Sequence, residues 1–184
     1  PIINSSGRLG KPVLSAELLI SDDSDFVRRN SEILIKLNNE RKIIEKKILD
    51  KINFRKIEKE NQNIIIYLNK NIKEGLIGII ASRLKDYFGK PSIVITKSNN
   101  IYKGSARSTS DYNIGSLIKK LRDKKIIEKG GGHNLAAGFI IKENKISLLN
   151  DYIQSDYLNK TSKLISTFNY EGELSNTAIN LRFA

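Results

Sequence analysis

Residues 64–96 read IIIYLNKNIKEGLIGIIASRLKDYFGKPSIVIT, and this stretch decides the fold class. The short runs 64–68 and 92–96 are continuously apolar and rich in β-branched residues, which predicts two buried strands. Between them, residues 74–88 carry apolar side chains at helical spacing and stop at Gly89, a residue typical of a helix C-terminus. Strand, helix and strand within about thirty residues predict a βαβ unit with a right-handed crossover.

The residues after this unit extend the sheet. Residues 101–108 predict a third strand, paired as a hairpin with the second. A helix then begins at Asp111 or Asn113, and residues 138–141 predict a further strand before a terminal helix over about 145–157. The predicted fold class is therefore α/β, with a mixed sheet flanked by helices.

The N-terminal third is predicted to be helical and extended. Residues 1–11 combine two glycines, two serines and an arginine, which predicts a loop with phosphate-compatible donors, and a short helix follows over 12–20. From residue 21 to about residue 60 there is neither Gly nor Pro, and apolar positions recur at spacings of seven and four. This pattern predicts one amphipathic helix of roughly 50 Å, which we interpret as a connector between domains with a solvated lysine-rich face.

Composition restricts the function without deciding it. The chain has 32 Lys and Arg against 20 Asp and Glu, a net charge of +12, which favours polyanionic partners such as nucleic acid. An AT-rich genome would enrich Ile, Asn and Lys in the same way, so both explanations stay open. The absence of cysteine excludes disulfides and thiolate metal sites. No run approaches the ~20 apolar residues of a membrane span. The chain lacks methionine and begins at Pro1, so we expect it to be a segment of a longer polypeptide.

Two motifs carry donors suited to a phosphate. In the first, Gly130-Gly131-Gly132-His133 is predicted to form a loop that offers bare N–H groups beside the only histidine, and small residues follow at 136–138. A tight turn with an ordinary loop histidine is the alternative. In the second, Ser105, Arg107 and Ser108 stand beside Gly104 at the end of the third predicted strand, a set suited to gripping an oxyanion. An exposed strand end with a surface arginine would look the same.

A set of motifs occurs in a fixed order along the chain: Asn4-x-x-Gly7-Arg8-Leu9, the run 74–84, the run 103–108 and Gly131-Gly132-His133-x-x-Ala136-Ala137-Gly138-Phe139. Together with the long connector, they resemble the RecJ exonucleases of the DHH phosphoesterase superfamily, and the last motif resembles the mark of the accessory DHHA1 domain. The resemblance implies the tail end of a DHH domain at 1–20, a connector helix at 21–61, a DHHA1 domain at 62–160 and the start of an OB-like β domain at 161–184.

The resemblance also implies a function. RecJ-like enzymes degrade single-stranded DNA from the 5′ end in repair and recombination, with Mn²⁺ or Mg²⁺ bound by a DHH domain that would lie upstream of Pro1. The chain alone is therefore expected to be inactive as a nuclease. Single-stranded DNA is the implied partner, a single-strand-binding protein and a helicase are further candidates, no membrane is involved, and the expected location is cytoplasmic.

Motif matching assigns the substrate or phosphate contacts to Asn4 and Arg8, to Ser105, Arg107 and Ser108, and to Gly131, Gly132 and His133. The family often has Trp-His before the helix that begins near Gly75, whereas this chain has Ile72-Lys73. Two other functions stay open: a DHH phosphodiesterase of oligoribonucleotides or cyclic dinucleotides, and a non-catalytic tRNA-binding DHHA1 module similar to that of alanyl-tRNA synthetases.

Overall fold

The computed structural model describes residues 2–98 and 101–161. The first elements are α1 (Ile3–Arg8), α2 (Pro12–Ile20), α3 (Ser24–Leu49), α4 (Phe54–Glu60), β1 (Ile65–Leu68) and α5 (Glu74–Phe88). They are followed by β2 (Ser92–Ser98), β3 (Ile101–Arg107), α6 (Ile114–Asp123), β4 (Lys129–His133), β5 (Ala136–Ile141) and α7 (Ile146–Thr161). The β-rich domain predicted to start at 161–184 lies outside the described residues, apart from residue 161. Within them, no helix is both long and apolar enough to cross a membrane.

The strands of the described residues form one mixed sheet in the order β1-β2-β3-β5-β4. β1 and β2 are parallel and are connected by α5, which is the predicted βαβ unit. The other neighbouring pairs are antiparallel. The predicted α/β class with a mixed sheet flanked by helices is therefore confirmed.

The two faces of the sheet cover separate apolar cores. On one face, α6 and α7 pack against the strands around the buried residues Leu117, Phe139 and Ile153. On the other face, α5 packs on β2 and β3 through residues such as Leu76 and Leu84, and the end of α3 and α4 join this core. The same face remains open over β5 and β4, where Gly138, Gly131 and His133 are exposed. Of the predicted site residues, this open face carries Ser105, Arg107, Gly131 and His133.

The connector predicted as one helix over 21–61 is two helices. α3 ends at Leu49, Ile52 turns into the core with 6 % exposure, and the Asn53 side chain begins α4 by accepting a hydrogen bond from the Lys56 backbone N–H at 2.9 Å. Burial of an isoleucine and a helix cap outweigh the helical propensity of a sequence without Gly or Pro.

The loop predicted for residues 1–11 is also wrong, because most of it forms α1. The hydroxyl groups of Ser5 and Ser6 are fully buried instead of being offered to a ligand. The Ser5 hydroxyl donates to the Ile2 carbonyl just before α1 and to the Leu34 carbonyl of α3, and the Ser6 Oγ lies 2.5 Å from the Ser15 Oγ on α2. These internal hydrogen bonds fix α1 between α2 and α3.

The glycine run is part of a strand, and the turn comes after it at residues 134–135. None of Gly130, Gly131 and Gly132 has a positive φ. A Cβ on Gly132 would lie 2.4 Å from the Cβ of Ala137, its partner across the hairpin. The loop prediction is therefore wrong, and at Gly132 the missing Cβ permits close packing of the two strands.

A different steric constraint requires a glycine at position 104, and substitution of this residue tests the packing of the core. The Phe139 ring lies over Gly104, so that an added Cβ would be 2.1 Å from its Cζ atom. Gly104→Ala is expected to lower the free energy of unfolding by about 1–3 kcal/mol, as overpacking of a core usually does. The matched control is Gly131→Ala, whose Cβ would meet no heavy atom within 4 Å, and it is expected to change stability by less than about 0.5 kcal/mol. Equal losses in urea unfolding would contradict this packing.

Candidate nucleic-acid interface

Strand register places two predicted site segments, one on β3 and one on β4, on either side of β5. Arg107 of β3 is opposite Ala136 of β5, which is opposite His133 of β4. Because neighbouring strands lie about 4.8 Å apart, this row spans roughly 10 Å from arginine to histidine. The structure therefore brings Arg107 and His133, which are distant in sequence, to the same face of the sheet, with β5 between them.

The next row of the sheet lies beside this one, and we call it the glycine floor. Ser105, Gly138 and Gly131 are opposite one another on the same three strands, and the two glycines are exposed. Without side chains at these two positions, a sugar–phosphate backbone can approach the sheet closely. Gly131, which has open space where a Cβ would be, thus differs from its packed neighbour Gly132.

The Arg107 side chain is held by its own strand and by α5. Its Nη1 donates to the Ser105 hydroxyl at 3.2 Å and to the Ala106 carbonyl at 2.7 Å. Its Nη2 lies only 2.8 Å from the position of a Cβ on Gly78, so the glycine of α5 makes room for the guanidinium. Sequence reasoning missed this role of Gly78, because it depends on the packing of α5 against β3.

Arg8 approaches the same guanidinium from α1. The C-terminal end of α1 packs on α5 at Gly75, where a Cβ would lie 2.3 Å from the Arg8 carbonyl oxygen. Burial, and secondly the positive charge of Arg8, lowers the pKa of the Arg107 side chain. Within residues 2–98 and 101–161, neither arginine forms a salt bridge. A bound anion would relieve the repulsion between these two cations.

The remaining predicted contacts have different surroundings. Ser108 is 4 % exposed, and its hydroxyl donates to the Tyr112 carbonyl at 2.6 Å, so its proton is used within the fold. Asn4 is exposed and lies one turn before Arg8 on the same side of α1. Lys73 is one of the two residues that differ from the family motif. It is exposed and lies beside Arg8 in a groove at the start of α5.

The N-terminus of α6 holds the turn that follows His133. The Ile114 N–H donates to the Asn134 carbonyl at 3.0 Å, and the Asn113 side chain donates to that of Asn134 at 2.7 Å. A Cβ on Gly115 would lie 2.9 Å from the His133 carbonyl oxygen. These contacts fix the backbone at His133, while its side chain stays exposed.

A groove of about 440 Å³ continues from Ser105 between α5 and the sheet. Its walls include Ile77 and Ile140, and its rim includes Lys103 and Lys129. The Lys103 Nζ is held by both carboxylate oxygens of Glu74, at 2.7 and 2.8 Å. The groove therefore has apolar walls and, at its rim, one lysine paired with Glu74 and a second, Lys129, that forms no salt bridge in the described residues.

The described residues do not fit a divalent-metal site. Nowhere in 2–98 or 101–161 do three or more His, Asp or Glu side chains come together so that they could hold a metal ion. The Mn²⁺ or Mg²⁺ implied by the family resemblance would need ligands from elsewhere. The side chains that could meet a ligand on this part of the surface include the two arginines Arg8 and Arg107 and the exposed His133.

Comparison with known proteins shows the family of the chain. The DHHA1 domain family matches residues 60–157, which is more than half of the chain. The single-stranded-DNA-specific exonuclease RecJ of Bacillus subtilis is 32% identical over 150 residues, covering 79% of this chain and 19% of the relative. The RecJ of Haemophilus influenzae is 30% identical over 196 residues, covering 100% of this chain and 34% of the relative. The chain therefore spans about a fifth to a third of the length of these relatives.

Solved structures show the same similarity. RecJ of Thermus thermophilus in complex with Mn²⁺ matches with a TM-score of 0.74 and 25% identity, over 86% of this chain and 23% of that one. The complex of the same enzyme with Mg²⁺ matches with a TM-score of 0.71 and 25% identity, over 86% and 24%. The chain belongs to the DHHA1 domain family and is similar along its length to the RecJ exonucleases.

Proposed function

We propose that this chain is the strand-holding part of an exonuclease specific for single-stranded DNA. The observation that carries the proposal is the pair Arg8 and Arg107, which pack against Gly75 and Gly78 of α5 and form no salt bridge in the described residues. They stand on one side of a glycine floor, and His133 stands on the other. A phosphate in this groove would accept hydrogen bonds from the arginines while the floor admits its sugar.

We propose that the whole protein, like its RecJ relatives, is an exonuclease specific for single-stranded DNA. We place hydrolysis in a DHH domain that binds Mn²⁺ or Mg²⁺ and faces this groove, and we expect digestion from the 5′ end in DNA repair and recombination. A cytoplasmic location, a single-strand-binding protein and a helicase as partners belong to the same proposal. Similarity to RecJ along the chain favours this function over a phosphodiesterase of short oligonucleotides or a tRNA-binding module.

Binding by the full 184-residue chain tests the proposal. Fluorescence anisotropy should show tighter binding of 5′-phosphorylated oligothymidylate than of a duplex of equal length, because only an unpaired strand fits a groove walled by α5. The logarithm of the affinity should fall with the logarithm of the salt concentration, with a slope of about −0.7 for each neutralised phosphate. Equal affinity for duplex, or affinity independent of salt, would contradict the proposal. Incubation of the same chain with Mn²⁺ and DNA should give no digestion.

A further inference from the structure

A second basic surface lies on the side of α5 away from Arg107. It is a groove of about 390 Å³ between α3 and α5, and we call it the connector groove. Its lining consists of Arg41, Lys42, Glu45, Lys46, Leu49, Asp50 and Arg83. Four cations and two carboxylates leave a net positive charge. Residues 78 and 83 of α5 point in directions about 140° apart around the helix axis, so this groove and the Arg107 position lie on different sides of the helix.

Glu45 fixes one guanidinium of this groove in an outward-facing position. Its Oε1 accepts from the Arg83 Nε at 2.7 Å, and its Oε2 accepts from the Arg41 Nη1 at 2.6 Å. The Arg83 side chain remains 57% exposed. Because its Nε is the atom that binds Glu45, the two terminal nitrogens are left for another acceptor. Phosphate oxygens match such a preorganised guanidinium.

The two lysines of the groove add unpaired charge. Lys42 and Lys46 lie one turn apart on α3 and are exposed. In the described part of the chain, neither forms a salt bridge. The groove therefore presents cations from both of its walls, which favours an anionic ligand.

An aromatic platform stands next to the arginine. Tyr87 follows Arg83 by one turn of α5 and is 65% exposed. Its ring is supported by Phe54 of α4 at 4.6 Å and by Phe88 at 4.9 Å between centroids. Stacking on an exposed aromatic ring beside basic side chains is how proteins hold unpaired bases without reading their sequence.

We propose that the connector groove and Tyr87 bind single-stranded nucleic acid, with a phosphate at Arg83 and an adjacent base stacked on Tyr87. The spacing supports this ligand, because side chains one helical turn apart lie about 5–6 Å apart at their Cβ atoms, within the reach of one nucleotide. A polyanion that alternates phosphates with unpaired bases complements both halves of the surface. The groove would hold the strand away from the end that occupies the Arg107 position.

The test measures binding of a long oligothymidylate to the full chain and its variants. Tyr87→Leu keeps an apolar cover over Phe54 but removes the ring, and it should weaken binding about five-fold or more. Lys42→Gln with Lys46→Gln should reduce the magnitude of the salt slope by about 1.4. The matched control is Lys36→Gln with Lys47→Gln, which removes the same charge from exposed positions of α3 that do not line the groove, and it should leave the affinity nearly unchanged.

Photocrosslinking gives a second readout. An oligothymidylate carrying 5-iodouracil should crosslink to the peptide that contains Tyr87. Binding by Tyr87→Leu equal to wild type, or equal effects of the groove and control lysine pairs, would overturn the proposal. The proposal would also be overturned if Tyr87→Leu weakened binding of an acidic peptide but left binding of the oligonucleotide unchanged. Arg107→Ala measured in parallel separates the two proposals, because its failure to weaken binding would contradict the proposed function and leave the groove result standing.

Discussion

Replacing Arg107 by alanine is expected to weaken binding of 5′-phosphorylated oligothymidylate by about 10- to 150-fold. This range corresponds to about 1.5–3 kcal/mol, the usual contribution of hydrogen bonds that involve a charged group. Arg107 is half-buried against Gly78, so its guanidinium is already oriented before the ligand arrives. The free chain should not be destabilised greatly, because no carboxylate of the described residues loses its partner and the repulsion from Arg8 is removed.

Two further variants show whether the guanidinium itself is responsible. Arg107→Lys keeps the charge but loses the planar pair of donors, so its affinity should lie between those of wild type and Arg107→Ala. Arg28→Ala is the matched control, because Arg28 lies at the start of α3 with a side chain that is 75% exposed. Loss of the same magnitude in Arg28→Ala would indicate a general effect of net charge and would contradict a site at Arg107.

Replacing Glu45 by alanine is expected to lower the free energy of unfolding by about 3–5 kcal/mol, as measured by urea denaturation. Glu45 is 6 % exposed and binds Arg41 of α3 and Arg83 of α5 with separate oxygens. The variant leaves the Arg41 guanidinium, which is 11% exposed, without its carboxylate. Removing one partner of a buried ion pair costs more than the pair contributes, because the other charge stays desolvated.

The stability controls lie on the same helix. Glu40→Ala removes an exposed carboxylate of α3 and should change the free energy of unfolding by less than about 0.5 kcal/mol. Arg41→Met combined with Glu45→Leu removes both buried charges, and it should recover most of the stability lost in Glu45→Ala, because Arg83 reaches solvent. No recovery in this double variant would show that shape, rather than an unpaired charge, explains the loss.

Local patterns predicted the elements whose signals are local. The helix over 74–88 was predicted with the bounds of α5, because its apolar spacing and terminal Gly89 lie within the segment itself. The break between α3 and α4 was missed, since it depends on the burial of Ile52 against distant residues. The conformation of the glycine run was missed for a similar reason, because only its pairing with β5 shows that Gly132 packs against Ala137.

The site was predicted as a set of residues but not as an arrangement. Arg8 and Arg107 are about a hundred residues apart, and nothing local shows that α1 packs on α5 at Gly75 and brings them together. Nor does anything local show that Ser108 is buried, where its hydroxyl donates to the Tyr112 carbonyl and its N–H to the Leu135 carbonyl. The substrate contacts of these residues stay predictions. The fold adds the positions of the residues relative to one another.

Titration of the isotopically labelled chain with 5′-phosphorylated oligothymidylate, followed by amide NMR, tests the central claim most directly. The claim is that a single strand lies on the open face between Arg107 and His133. The largest shifts are expected at Gly131, Gly132, His133 and Arg107, and in Arg107→Ala the shifts at the three β4 residues should need about 10- to 150-fold more ligand. Saturable binding that leaves all of these amides unshifted would contradict the account.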